Sequence, residues 1–182
     1  KGQDIFLRAF ARAFAGQDVT AVLIGSAIFG EEDYAQQLRD LVEILGIAGQ
    51  VEFRGFRHDV GAEYRRLDVM VHASVLDEPL GTVIFEAMAA GLPVIAADAG
   101  GPREYIRHGH DGLLHEPGNV QHLADTLLTV STNAALRRDL AANARERAHD
   151  FAPERIATMW VDLYQRALAS VARTGGTRRR PT

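Results

Sequence analysis

Short apolar runs, buried rather than alternating in pattern, recur along this chain with helical stretches between them, and that rhythm restricts the fold more than any other feature. Strand-like runs fall near Val19 to Ile24, Val51 to Arg54, Val69 to Ala73, Val94 to Ala97 and Leu113 to His115. Helical patterns occupy roughly Asp4 to Ala15, Glu31 to Leu45, Val60 to Arg66 and Thr82 to Ala90. A strand that shows water one face alternates apolar with polar residues, so strands that do not alternate must be covered on both sides. Alternating elements of this kind predict an α/β fold, a doubly wound parallel sheet with helices on both faces. After Asn119 the pattern becomes helical in three pieces, broken at Ser131-Thr-Asn133 and Phe151-Ala-Pro153. In such sheets ligands bind at the carboxyl ends of the strands, where the loops after Gly25, Gly55 and Ser74 lie.

With 182 residues, 47% of them hydrophobic, the chain suits one core, and no repeat or internal linker interrupts it. The expected division is one domain over residues 1–172 and a basic tail over 173–182, where Arg178-Arg179-Arg180 stand among Gly, Thr and Pro and disorder is expected. A formal charge of −4 gives no general attraction for nucleic acid or an anionic membrane. No run approaches a membrane span or a secretory signal. The chain has no cysteine, which removes disulfides and thiolate metal sites and makes the cytoplasm the simplest compartment.

The chemistry concentrates in one segment, where Glu78 and Glu86 are separated by seven residues. Asp68-Val-Met-Val-His-Ala-Ser74 reads as a buried strand, Glu78 sits in the following loop, and Pro79-Leu80-Gly81-Thr82 delivers the chain to a helix. Unpaired N–H groups at that helix start carry partial positive charge and suit a phosphate or a sugar oxygen. Glu86, about one turn into the helix, can face the same crevice and accept hydrogen bonds from a diol. Charge alone allows an ordinary exposed helix glutamate, but the sequence neighbours Val83, Ile84, Phe85, Ala87 and Met88 favour a desolvated carboxylate that requires a partner or a shifted pKa. Gly91 and Pro93 end the helix.

The segment from Ser74 through Glu78-Pro-Leu-Gly-Thr-Val-Ile-Phe-Glu-Ala-Met-Ala to Gly91-Leu-Pro-Val-Ile-Ala97 resembles the signature of the group 1 family of retaining, nucleotide-sugar-dependent glycosyltransferases of GT-B fold. Leu80 replaces the usual phenylalanine. Lys1-Gly-Gln-Asp4, Val22-Leu-Ile-Gly25, Val51-Glu-Phe-Arg-Gly-Phe56, Gly100-Gly-Pro-Arg-Glu104, Gly109-His-Asp-Gly-Leu-Leu114 and Phe151-Ala-Pro-Glu-Arg155 extend the resemblance almost to Ala172. It implies the C-terminal, Rossmann-like donor-binding half of such an enzyme, moving a hexose from a nucleotide sugar in polysaccharide or glycolipid synthesis. Glu86 would hold the ribose hydroxyls. Glu78, the catalytic candidate, would bind or orient the donor hexose. Leu80, Gly81 and Thr82 would offer backbone N–H groups to the sugar and distal phosphate, Gly25 would face the donor, and Lys1 would neutralise the diphosphate. The family pairs that lysine with an arginine that this sequence lacks. No cofactor and no metal are expected, and the leaving phosphate would itself accept the proton.

The resemblance also implies a strand before Lys1, central in the sheet, and a preceding acceptor-binding domain. The sequence is therefore expected to be a fragment that transfers no sugar alone, with any peripheral membrane contact assigned to the missing domain. Competing readings are a non-catalytic nucleotide-binding module, which would tolerate loss of a glutamate, and a sugar-nucleotide epimerase of the same fold, which would need its own acid/base pair. His108 and His110 lack a third ligand, His72 reads as a packed, hydrogen-bonded core residue, and Arg54 and Arg103 read as solvated surface residues. Nucleophile-elbow, P-loop and Gly-x-Gly-x-x-Gly motifs are absent.

Overall fold

A computed structural model describes residues 1–28 and 30–175 of the chain. Five strands, β1 (Ala21–Ile24), β2 (Val51–Gly55), β3 (Met70–His72), β4 (Val94–Ala97) and β5 (Leu113–His115), alternate with helices. The helices are α1 (Gln3–Phe14), α2 (Glu32–Ile44), α3 (Val60–Tyr64), α4 (Thr82–Ala89), α5 (Gly101–Tyr105), α6 (Val120–Thr132), α7 (Ala134–Ala148) and α8 (Pro153–Gly175). Local chemistry sets several boundaries. Asp59, Asn119 and Asn133 cap α3, α6 and α7 by accepting from the N–H three residues on. The last helix runs three residues past the expected domain end at 172, and the Arg178–Arg180 cluster lies outside the described residues.

All observed pairings are parallel, as the unbroken apolar runs required. They form two sheets rather than one: β1 pairs with β2, and β3-β4-β5 form a second sheet. The helix α5, which is not among the helical patterns of the sequence, is the other departure. It has only five residues and opens on Gly100-Gly101-Pro102, so no apolar period is long enough to announce it.

The buried strand β4 shows why both faces need helices. Its four residues are at most 1% exposed. Ile95 joins a core with Leu7, Phe10 and Phe14 of α1 and Leu123, Leu127 and Val130 of α6. Val94 and Ala96, pointing the other way, join Ile84 and Met88 of α4 and Ala144 of α7. That second core is closed by Phe85, Tyr105 and Phe151, whose rings lie 4.4 to 5.6 Å apart and tie α4 and α5 to the turn before α8. Along α8 itself, Met159, Trp160, Leu163, Tyr164 and Leu168 leave an apolar stripe exposed. Among the described residues no helix is long and apolar enough to cross a membrane.

Candidate functional site

The crevice is built where β3 ends and α4 begins. Glu78, in the connecting loop, is held from two sides: Lys1 Nζ lies 3.1 Å from Oε1 and His72 Nε2 lies 3.2 Å from Oε2. Ser74 Oγ donates to Leu76 O at 3.1 Å and stands 3.4 Å from Glu78 Oε1. Lys1 reaches this point because Gly2, at the start of α1, is seated so tightly on the Ala73 carbonyl that a Cβ would overlap it. Burial works to raise the Glu78 carboxyl, but hydrogen bonds from His72 and Lys1 and the positive charge nearby outweigh it and hold it below its ordinary value. His72 is buried, and its Nδ1 has no partner among the described residues. The ring N–H therefore belongs on Nε2, facing Glu78.

The loop then passes Leu80 to Gly81, which takes a left-handed conformation (φ 66°, ψ 59°) at the N-cap of α4. No side chain caps this helix, and Leu80 and Thr82 are exposed beside its start. The positive end of the helix thus faces the crevice without a competing protein anion at the cap. The phenol of Tyr105 donates to Leu80 O at 2.7 Å and fixes the loop from behind. Its own ionisation is pushed up, first by burial and then by the charge of Glu78. The loop is also seated on α5: Gly101 N–H donates to Glu78 O at 2.8 Å.

Glu86 departs from expectation. It is exposed, because α4 turns 100° per residue and buries Ile84, Ala87 and Met88 on another face. Apolar neighbours in sequence are not its neighbours in space. Its carboxylate still has a partner, the phenol of Tyr64 at 3.0 Å from Oε2. Glu86 and Tyr64 line a cavity of about 490 Å³ with His58, Asp59, Gly61 and Arg65, a volume in the range of small-molecule sites. Gly25 lies on the other sheet, at the carboxyl end of β1, with its N–H donated to Gly55 O at 2.9 Å.

Lys1 and Glu78 are thus brought together, Leu80, Gly81 and Thr82 form the helix entrance, and Glu86 stands further along α4. Three contributors were not foreseen as site residues: His72, Tyr64 and Tyr105. His72 carried a readable signal, since residues two apart on an extended chain share a side and His72 is followed by Ser74. Arg54 is not the solvated residue expected, being paired with the buried Glu63 at 2.6 Å and with Glu52. Arg103 is exposed and pairs with Asp98 at 2.9 Å. Among the described residues no three His, Asp or Glu side chains converge as metal ligands.

The family model for glycosyl transferases group 1 matches residues 1–147. An exopolysaccharide phosphotransferase of Streptomyces coelicolor is 33% identical over 165 residues, covering 90% of this chain and 17% of that protein. Among solved structures, Anabaena HepE in complex with UDP and glucose superposes with a TM-score of 0.81 at 37% identity, over 89% of this chain and 45% of that one. The C-terminal domain of a glycosyl transferase group 1 family protein from Francisella tularensis gives a TM-score of 0.73 at 31% identity, over 82% of this chain and 78% of that one. The chain spans less than half the length of the curated relatives it matches.

Proposed function

The chain belongs to the group 1 family of glycosyl transferases, and on that premise we propose that it is the donor-binding half of a retaining enzyme that moves a hexose from a nucleoside diphosphate sugar. The observation that carries this reading is the grouping of the uncapped α4 N-terminus with Lys1 and Glu78 on one side and Glu86 with its cavity on the other. A nucleotide sugar has its charge in the middle and hydroxyls at both ends, which matches that order. HepE, whose complex contains UDP and glucose, supports the ligand class.

In this reading the ribose diol hydrogen-bonds to Glu86 and the distal phosphate sits at the N–H groups of Leu80, Gly81 and Thr82. Gly25 faces the donor across the crevice. An ammonium has three donors, so Lys1 can keep its bond to Glu78 while meeting the diphosphate, where it stabilises charge growing on the leaving group. Glu78, kept ionised, accepts from hexose hydroxyls. No side chain here acts as general base; the departing phosphate oxygen takes the acceptor proton on the face where the new bond forms, which keeps the anomeric configuration.

The acceptor is assigned to another half of the protein, between whose elements and this one the sugar passes, so this chain alone transfers no sugar. The exposed apolar stripe of α8 supports such a covering surface. An acceptor in polysaccharide or glycolipid synthesis is in keeping with a 32% identical relative, a lipopolysaccharide core biosynthesis glycosyltransferase of Rhizobium meliloti, and the cysteine-free composition fits the cytoplasm. The site needs no divalent ion, because helix dipole and lysine supply the positive charge. Calorimetric titration with UDP-glucose, GDP-mannose and ADP-glucose tests this: one of them should bind with the same affinity in EDTA as in magnesium. Binding that requires magnesium, or no binding by any nucleotide sugar, would defeat the reading.

A further inference from the structure

Tyr64 is built into the second core, where it contacts the group containing Met70, Ile84, Ala87 and Met88 and keeps 7% of its surface exposed. Its hydroxyl points toward α4. The oxygen lies 3.0 Å from Glu86 Oε2 and 3.4 Å from Val83 O. A phenol has one proton to donate, and the shorter contact to the carboxylate takes it in preference to the longer one to a backbone carbonyl. Glu86, by contrast, is exposed, belongs to a helix face that the core does not hold, and makes no other side-chain hydrogen bond among the described residues. An exposed glutamate ordinarily samples several rotamers, and fixing one costs side-chain entropy.

We propose that Tyr64 is a positioning residue: its buried hydroxyl pins one oxygen of Glu86 so that the carboxylate is already set in the orientation that receives a vicinal diol of the nucleoside. The ring at the end of α3 is buried with Ile84, Ala87 and Met88 of α4, so the anchor is already ordered when ligand arrives. Both residues line the same cavity, so the pinned carboxylate borders the space that a nucleoside would fill. The phenol is kept protonated for this purpose, its ionisation pushed up first by burial and then by the hydrogen bond and charge of Glu86.

The inference rests on the reading of Glu86 as the ribose ligand, and a double-mutant cycle separates the two. Y64F, E86A and the double variant of the 182-residue chain would be titrated calorimetrically with UDP, GDP and ADP, using whichever binds the unaltered chain best. Thermal melting would confirm that each variant is folded. Y64F keeps the ring in its core and removes only the hydroxyl. It should weaken the nucleotide about three- to tenfold, and E86A about ten- to a hundredfold. The double variant should bind like E86A, within about twofold, because an anchor without its carboxylate has nothing to position. A folded Y64F with unchanged affinity beside a weakened E86A would overturn the positioning role and leave the ribose reading standing. An equal loss on removing the hydroxyl in the E86A background would also overturn it, since Tyr64 would then touch the ligand itself. If E86A binds as well as the unaltered chain, or no nucleotide binds at all, the ribose reading fails and the inference fails with it.

Discussion

His72 Nε2 and Glu78 Oε2 lie 3.2 Å apart, so a buried residue at the end of β3 holds the loop carboxylate that the strand leads into. With Lys1 on the other oxygen, Glu78 is ionised and oriented before any ligand arrives. Replacing His72 by Leu removes the buried donor and leaves a partly buried carboxylate short of a partner. The expected cost is about 1–3 kcal/mol of stability, with weaker binding of a nucleotide sugar than of the free diphosphate. H72Q, which can still donate, should recover part of both. Denaturant unfolding and calorimetry on the two variants check this, and a fully stable H72L would show that the contact contributes nothing.

The loop is held from below as well. Gly100 has φ 56° and ψ −140°, and a Cβ there would stand 2.5 Å from the carbonyl oxygen of Glu78. Alanine at this position must strain its own backbone and displace the Glu78 loop. G100A should therefore lose roughly 2 kcal/mol or more in urea unfolding and weaken nucleotide-sugar binding. An unchanged unfolding midpoint would contradict the packing described.

Much of this was legible in the sequence, and the misses share a cause. The unbroken run Val94 to Ala97 announced a strand buried on both faces, and Asn119 and Asn133 announced helix starts. What a window of sequence does not carry is contact between distant residues. The Tyr64 hydroxyl meets Glu86 across 22 positions, and nothing in either local pattern points to the other. Glu86 was misjudged for the converse reason: its sequence neighbours are apolar, yet helical rotation turns them to another side. The split into two sheets is likewise a matter of strand order, which periodicity does not encode.

Stability should fall on mild acidification through His115. That side chain is fully buried, with Nδ1 at 3.0 Å from Glu116 O and Nε2 at 3.3 Å from His72 O. Burial lowers its pKa from the ordinary 6.5, with the backbone carbonyls opposing. Because the folded value is depressed, the unfolded chain takes up the proton first. The contribution to stability is fully present above about pH 6.5 and is lost as the pH falls below that toward the folded value. Urea midpoints at pH 7.5 and 5.5 should drop more for the unaltered chain than for H115Q. Equal drops would refute the assignment.

The most direct test of the two-ended site is to titrate E78A and E86A, each with free UDP and with UDP-glucose, or with the nucleotide pair that the unaltered chain prefers. Glu86 is assigned to the ribose, common to both ligands, so E86A should weaken both by roughly 1.5–3 kcal/mol, about ten- to a hundredfold. Glu78 is assigned to the hexose, so E78A should weaken the sugar-bearing ligand while leaving the free diphosphate nearly unchanged. Equal losses of free diphosphate in the two variants would contradict the order of the ligand along the crevice and, with it, the central claim.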